Sequence, residues 1–459
     1  MARVRQLLLA LGLGGVALCG ALAAPTPALA SGPHTHVFVV LKAIDHIQPG
    51  PLRSFLDRAD VRDALLCGAL LPAGAAVLGR SYAEALPSDA LVRALAKRLR
   101  TRWPKPALDA DGARTLAFTL GLQSHGIADE VFAEFFLWAA ARFDKKGWSA
   151  VPEHSPAAAA DSMLIGIRGP SPTPGAWLPA ADLALAHADL GLDVSAAALE
   201  ADLDAARGTG LGAAAKRGAD PGVRALATAR YPWIAGHLFD PFTAGGPLMQ
   251  ARVVAASWQA TWDEIAAGKS DPHHAVLAVV PSDGGAGHPV ARDDAAGVLG
   301  VVLARAVRPH DVGAGALVVR DDLSRAWAMT PEPAAAPHVG RAVRFVPGAD
   351  GQVGRTFLAS LKAGLRFQDG TQLAQVVSWS FRSGHGARKE PGEPPPLWEG
   401  ATPLFLDQPE GHAVEPGCAA RPAATGSGGA SPWGAVVVGV GLAWWCVRRR
   451  ASLGPLTGR

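Results

Sequence analysis

Cysteine is scarce in this chain, with four residues among 459, and their spacing supports no disulfide framework. Lysine is scarce beside arginine, whereas Gly, Ala and Pro abound. This is the composition of a high-GC genome, which spreads alanine through loops as well as helices and weakens arguments from helix propensity. An excess of either charge is also missing. The formal net charge is +3 and no basic run stands away from the extreme ends, so nucleic-acid binding has no electrostatic support. Strand signals are nearly absent before residue 268, and no histidine occurs between His46 and His125.

What is present begins with an export signal. A basic start, Met1-Ala-Arg-Val-Arg5, precedes an apolar run over 7–22 and the small-x-small site Ala28-Leu-Ala30, so cleavage is expected to leave Ser31 at the mature N-terminus. Cys19 leaves with this segment, and Cys67, in an apolar helical run, reads as a small buried hydrophobe. Apolar residues at three-and-four spacing predict helices over 36–47, 61–78, 88–101, 110–143, 179–205 and 247–267. The stretches 169–175 and 208–212 read as loops on their Gly, Pro and Thr content. From residue 275 short apolar runs alternate with turn signals, at 275–280, 298–304, 316–319, 341–345, 355–361 and 376–381, with a further strand expected within 326–336. The expected fold class is therefore multidomain, an all-α domain at 31–268 followed by an all-β sandwich at 275–384.

The stretch Leu120-Gly-Leu-Gln-Ser-His125-Gly-Ile-Ala-Asp129 interrupts an apolar helix with an imidazole and a carboxylate four residues apart, hence on one face. Burying both requires a proton, a hydrogen-bond network or a metal. An ordinary hydrogen-bonded pair and a metal site are both open at this point. Three segments, 36–45 with His36, 117–129, and 248–262 with Trp258 and Trp262, resemble helices of the bacterial zinc-dependent phospholipase C family. The resemblance implies a helical bundle with a zinc cluster at which the mature N-terminal residue is itself a ligand. Carried onto this sequence it implies Ser31, His36, His125, Asp129 and His187 as metal ligands. Asp129 is also the implied bridging and catalytic carboxylate. The same resemblance expects donors at positions that hold Ala73, Phe135 and Gly191, so it implies a reduced site holding one or two zinc ions, or none. Trp258 and Trp262 read as packing residues.

The segments Ala278 to Val290, Arg344-Phe-Val-Pro347, Thr356 to Leu365, Asp369-Gly-Thr371 and Ser378-Trp-Ser-Phe381 resemble bacterial Ig-like domains of surface-layer proteins, which implies a spacer or adhesion module. Residues 385–432 read as a Pro/Gly-rich linker, 433–447 as a transmembrane or sorting segment and 448–459 as its basic tail. The order Gly417-Cys418, polar spacer, apolar segment and arginines resembles the MYXO-CTERM sorting signal. That implies anchoring at the cell envelope or surface, with processing or lipid attachment at Cys418. Two functions follow from these readings. One is a surface-anchored phospholipase C-like hydrolase of phospholipid phosphodiesters; the other is a non-catalytic protein that binds a lipid headgroup or other ligand in the same cleft.

Overall fold

The computed structural model describes residues 31–383 apart from 104–107, 145–154, 242, 267–274, 281–284, 289–298, 308–310, 314, 328, 333–339 and 348–354. The expected signal segment, linker and sorting segment lie outside the described residues. Among the described residues no helix is long and apolar enough to cross a membrane.

The described residues of 31–266 are mostly helical. The elements are α1 (Pro33–His46), α2 (Pro51–Leu56), α3 (Ala59–Val77), α4 (Asp89–Arg102), α5 (Ala110–Val131), a π-helical turn (Phe132–Leu137) and α6 (Trp138–Phe143). After these come α7 (Pro156–Arg168), α8 (Ala180–Asp189), α9 (Ala196–Ala205), a second π-helical turn (Ala206–Leu211), α10 (Gly212–Ala219), α11 (Pro221–Arg230), α12 (Pro232–His237) and α13 (Pro247–Ala266). Helix α3 is apolar on all sides and lies buried at the centre from Ala64 to Ala76. It meets α5 closely because both present glycine at the crossing. A Cβ on Gly68 would sit 2.1 Å from the Phe118 carbonyl oxygen, and one on Gly121 would sit 2.1 Å from that of Leu65.

Several helical features differ from the sequence expectation. The helix expected over 179–205 is two helices, because Gly191 takes a left-handed φ of 75° and ends the first. The glycine-rich stretch 208–212 is helical rather than a loop, since burial of Ala206 and Leu211 outweighs the poor propensity of its glycines. Helices α2, α7, α10, α11 and α12 were not anticipated. All of these except α10 begin with a proline at the first helical position, where its missing N–H is no loss.

From Val276 the chain forms strands: β1 (Val276–Val280), β2 (Gly285–His288), β3 (Leu299–Val307), β4 (Leu317–Asp321), β5 (Ala326–Trp327), β6 (Met329–Glu332), β7 (Gly340–Pro347), β8 (Thr356–Leu361) and β9 (Val377–Ser383). One sheet has the order β1-β3-β7-β6 and the other β2-β9-β8-β4-β5; all pairings are antiparallel except β2 with β9. Leu299, Val301 and Phe345 from the first sheet share a core with Val319, Phe357 and Trp379 from the second. The other face of the first sheet is buried too. Leu277, Val280, Val302 and Ala342 belong to the same apolar cluster as Val37, Leu120 and Val254 of the helices. Strand β3 is buried along both faces for this reason. The helical and β parts therefore form one compact unit.

Candidate metal centre

The centre is assembled from the arm preceding α1, from α1 itself and from the C-terminal half of α5. Gly32 at the N-cap of α1 has no side chain with which to satisfy the first-turn amides. The carboxylate of Asp161 on α7 takes that role from across the fold. It accepts from the His34 amide at 3.3 Å, the Thr35 amide at 2.7 Å and the Thr35 hydroxyl at 2.9 Å. Burial pushes the Asp161 carboxyl up, against the pull of His34 and Thr35. The His34 ring is pinned on both sides. Its Nδ1 accepts from the Ser171 amide at 3.0 Å and its Nε2 faces the Leu211 carbonyl at 3.1 Å. His34 is thus a buried anchor of the arm.

Held in this way, the arm lays Ser31 against the centre. The Ser31 backbone N donates to Asp129 Oδ1 at 3.1 Å, and its Oγ lies 2.9 Å from both Asp129 Oδ1 and His36 Nε2. His36, one turn into α1, stacks on His125 with ring centroids 3.7 Å apart and an interplanar angle of 12°. Asp129 spans the pair, with Oδ1 at 3.1 Å from His36 Nε2 and Oδ2 at 3.2 Å from His125 Nε2. One ligand atom from each of His36, His125 and Asp129 lies within 4.8 Å of the others, so the group can hold a metal ion. Both imidazoles are 1 % exposed, while Asp129 keeps 20 % of its side-chain surface and forms the open side.

The electrostatics suit a cation. Burial lowers the pKa of His36, and the neighbouring His125 lowers it further. Burial pushes the Asp129 carboxyl up, but the two imidazoles outweigh it and hold the group well below the usual carboxylate range. The decisive contact is at the far side of His125, whose Nδ1 lies 2.7 Å from the Ala69 carbonyl oxygen on α3. A carbonyl only accepts, so Nδ1 carries the proton and Nε2 of a neutral ring points its lone pair at a carboxylate oxygen. Two electron-rich atoms 3.2 Å apart in a buried site call for a positive charge, either a second proton on the ring or an ion beside both. A ring N–H fixed by a backbone carbonyl is also the usual outer support of a metal-bound histidine. His36 lacks such support, because its Nδ1 is buried with no partner.

His187, expected as a further ligand, is not brought to the centre. Its Nδ1 faces the Leu183 carbonyl at 2.8 Å, its Nε2 is buried without a partner and its ring meets Tyr82 edge-on at 5.9 Å. Ala73 is 2 % exposed and Phe135 is fully buried, the latter with its ring against Gly300 of β3, so both positions are packing sites. Trp258 is core as expected, donating from Nε1 to the Leu120 carbonyl at 2.9 Å, and Trp262 packs on Phe55. Burial pushes the Cys67 thiol up to about 12, which keeps it protonated and inert. Asp161 was missed by sequence reasoning. The available signal was Ser155 followed by Pro156, a capped helix start whose hydroxyl accepts from the Ala158 amide.

No known protein family matches the chain, and no curated protein matches it.

Proposed function

We propose that this chain is a phospholipase C-like protein of the cell envelope whose helical part holds one zinc ion among His36, His125, Asp129 and Ser31, beside an Ig-like sandwich. The observation that carries the reading is the Ala69 carbonyl on His125 Nδ1, which leaves two nitrogen donors and a carboxylate converging on one point. Two imidazoles, a carboxylate and a serine suit zinc, which takes about four N and O ligands. When bound, zinc supplies a Lewis acid for a phosphodiester oxygen. The residues supply the rest. Asp129 orients both rings and leaves a solvent-facing edge, and the arm through Ser31 closes the opposite side. In this reading Asp129 is both ligand and catalytic carboxylate. Export through residues 1–30 and anchoring through 433–447 would, in this reading, bring the centre to membrane phospholipid.

A second reading, headgroup binding without turnover, is favoured by Ala73 and Phe135, because neither donates a ligand for a second ion. One experiment separates the two. Protein purified after export is assayed for bound zinc and for hydrolysis of phosphatidylcholine vesicles, with Asp129→Asn as the comparison. One equivalent of zinc with turnover that falls at least about a hundredfold in the variant supports the hydrolase. Zinc without turnover supports the binding protein, and a wild-type chain that takes no zinc overturns both.

A further inference from the structure

The residue after Asp129 points the other way, into the seam between the helices and the sandwich. Glu130 accepts from the backbone amide of Arg341 at 2.6 Å and from its Nη1 at 3.1 Å, while Nη2 of the same guanidinium donates to Asp89 at 2.6 Å. Arg341 is fully buried, and it is the second residue of β7, more than two hundred residues from either acid. Asp89 also takes Arg93, which pairs with Asp369 of the sandwich, and Asp369 takes Arg305 at 2.9 Å. Charges alternate along this chain of six and cross between the two parts at three pairs, Glu130 with Arg341, Arg341 with Asp89 and Arg93 with Asp369.

Glu130 keeps 27 % of its side-chain surface and is held in the seam by two donors of Arg341. Without those donors the carboxylate would turn out of the seam towards water. Such a turn shifts the last turn of α5, which carries Asp129 on its other face. The seam also leaves Asp129 as the carboxylate facing the two imidazoles, with the charge of Glu130 answered from behind. We infer that Arg341 is a positioning residue for the His36, His125 and Asp129 centre, and that the sandwich is a working part of that centre rather than a spacer. The zinc arm of this inference rests on the function proposed above; the geometric arm does not.

The test uses the exported, full-length protein and three variants. Arg341→Met removes both donors, Glu130→Gln keeps the shape but cannot accept from both, and Asp369→Asn weakens the same seam at its far end. Zinc affinity is measured by competition with a chelator. The nitrogen-15 ring signals of His36 and His125 are recorded on metal-free protein. We expect Arg341→Met to weaken zinc binding about ten- to a hundredfold, the range of outer-shell partners, and Glu130→Gln to weaken it several-fold. Both are expected to move the two histidine signals, whereas Asp369→Asn lowers thermal stability and leaves zinc affinity within about twofold and the ring signals in place. Should Arg341→Met fail to fold, Glu130→Gln carries the comparison. The inference is overturned if Glu130→Gln keeps wild-type ring signals, or if Asp369→Asn disturbs them as much. If the wild type takes no zinc, the metal reading falls and the ring signals still decide the role of Arg341.

Discussion

Asp161 governs where α1 begins and hence where Ser31 and His36 lie. A helix N-terminus leaves its first amides unsatisfied, and glycine at the cap cannot help. Here the acceptor arrives from α7, and Gly32 must be glycine for that approach, since a Cβ there would sit 2.3 Å from the Asp161 carboxyl carbon. Removing the carboxylate strands the amides of His34 and Thr35 and the Thr35 hydroxyl in a buried place, at about 1–3 kcal/mol for each orphaned group. Asp161→Ala is therefore expected to destabilise the protein by about 3 kcal/mol in urea unfolding. Asp161→Asn, which keeps the Oδ1 acceptor used by Thr35, should lose less than half of that. Equal losses in the two variants would mean that the site depends on the charge of Asp161 and not on its accepting geometry.

Helices α3 and α5 position His125 through their glycine contact. Because Gly68 and Gly121 let the backbones touch, the Ala69 carbonyl reaches the His125 ring. Gly121→Ala drives a methyl into the Leu65 carbonyl, so the helices must part. The expected loss is about 3 kcal/mol of stability, at the upper end for overpacked cores. The His125 ring signal should shift with it, and a variant as stable as wild type would contradict the close crossing. This is also the scale at which the sequence was most and least legible. Strongly periodic runs such as 61–78 and 88–101 match α3 and α4 within a residue or two, and six short apolar runs correspond to six strands. The His125 and Asp129 spacing gave the centre's core, and the expected cleavage site gave Ser31. Helices α2, α7, α11 and α12 open on proline, a poor helix former by propensity, and so carry a weak helical signal. Asp161 and Arg341 were out of reach for a different reason. Each acts on residues more than a hundred positions away, and no local pattern marks such a partner.

For the molecule as a whole, the buried charges set its response to acid. Burial pushes the Asp89 carboxyl up, but Arg341 and Arg93 hold it below its ordinary value of 3.8. At Asp369, burial likewise pushes the carboxyl up and is outweighed by Thr371 and Arg93, and Asp129 is lowered by its imidazoles. A carboxyl lowered in the folded state binds its proton more tightly when the chain is unfolded. The stability it contributes is complete above 3.8 and is lost as pH falls below that value. Glu130 works in the opposite sense. Burial raises it despite Arg341, so it withdraws stability as pH rises past its ordinary 4.5. Metal-free protein is therefore expected to lose stability as pH falls below 6.5, where the lowered His36 takes up its proton on unfolding, and to lose it steeply towards about pH 3 as the lowered carboxyls follow. Because Asp89 and Asp369 tie the two parts together, that loss should be one cooperative transition reported alike by Trp379 in the sandwich and Trp258 among the helices. The substitution Asp89→Asn should flatten the acid limb. An acid limb with the wild-type slope in that variant, or two separate transitions, would show that the seam does not couple the helices to the sandwich.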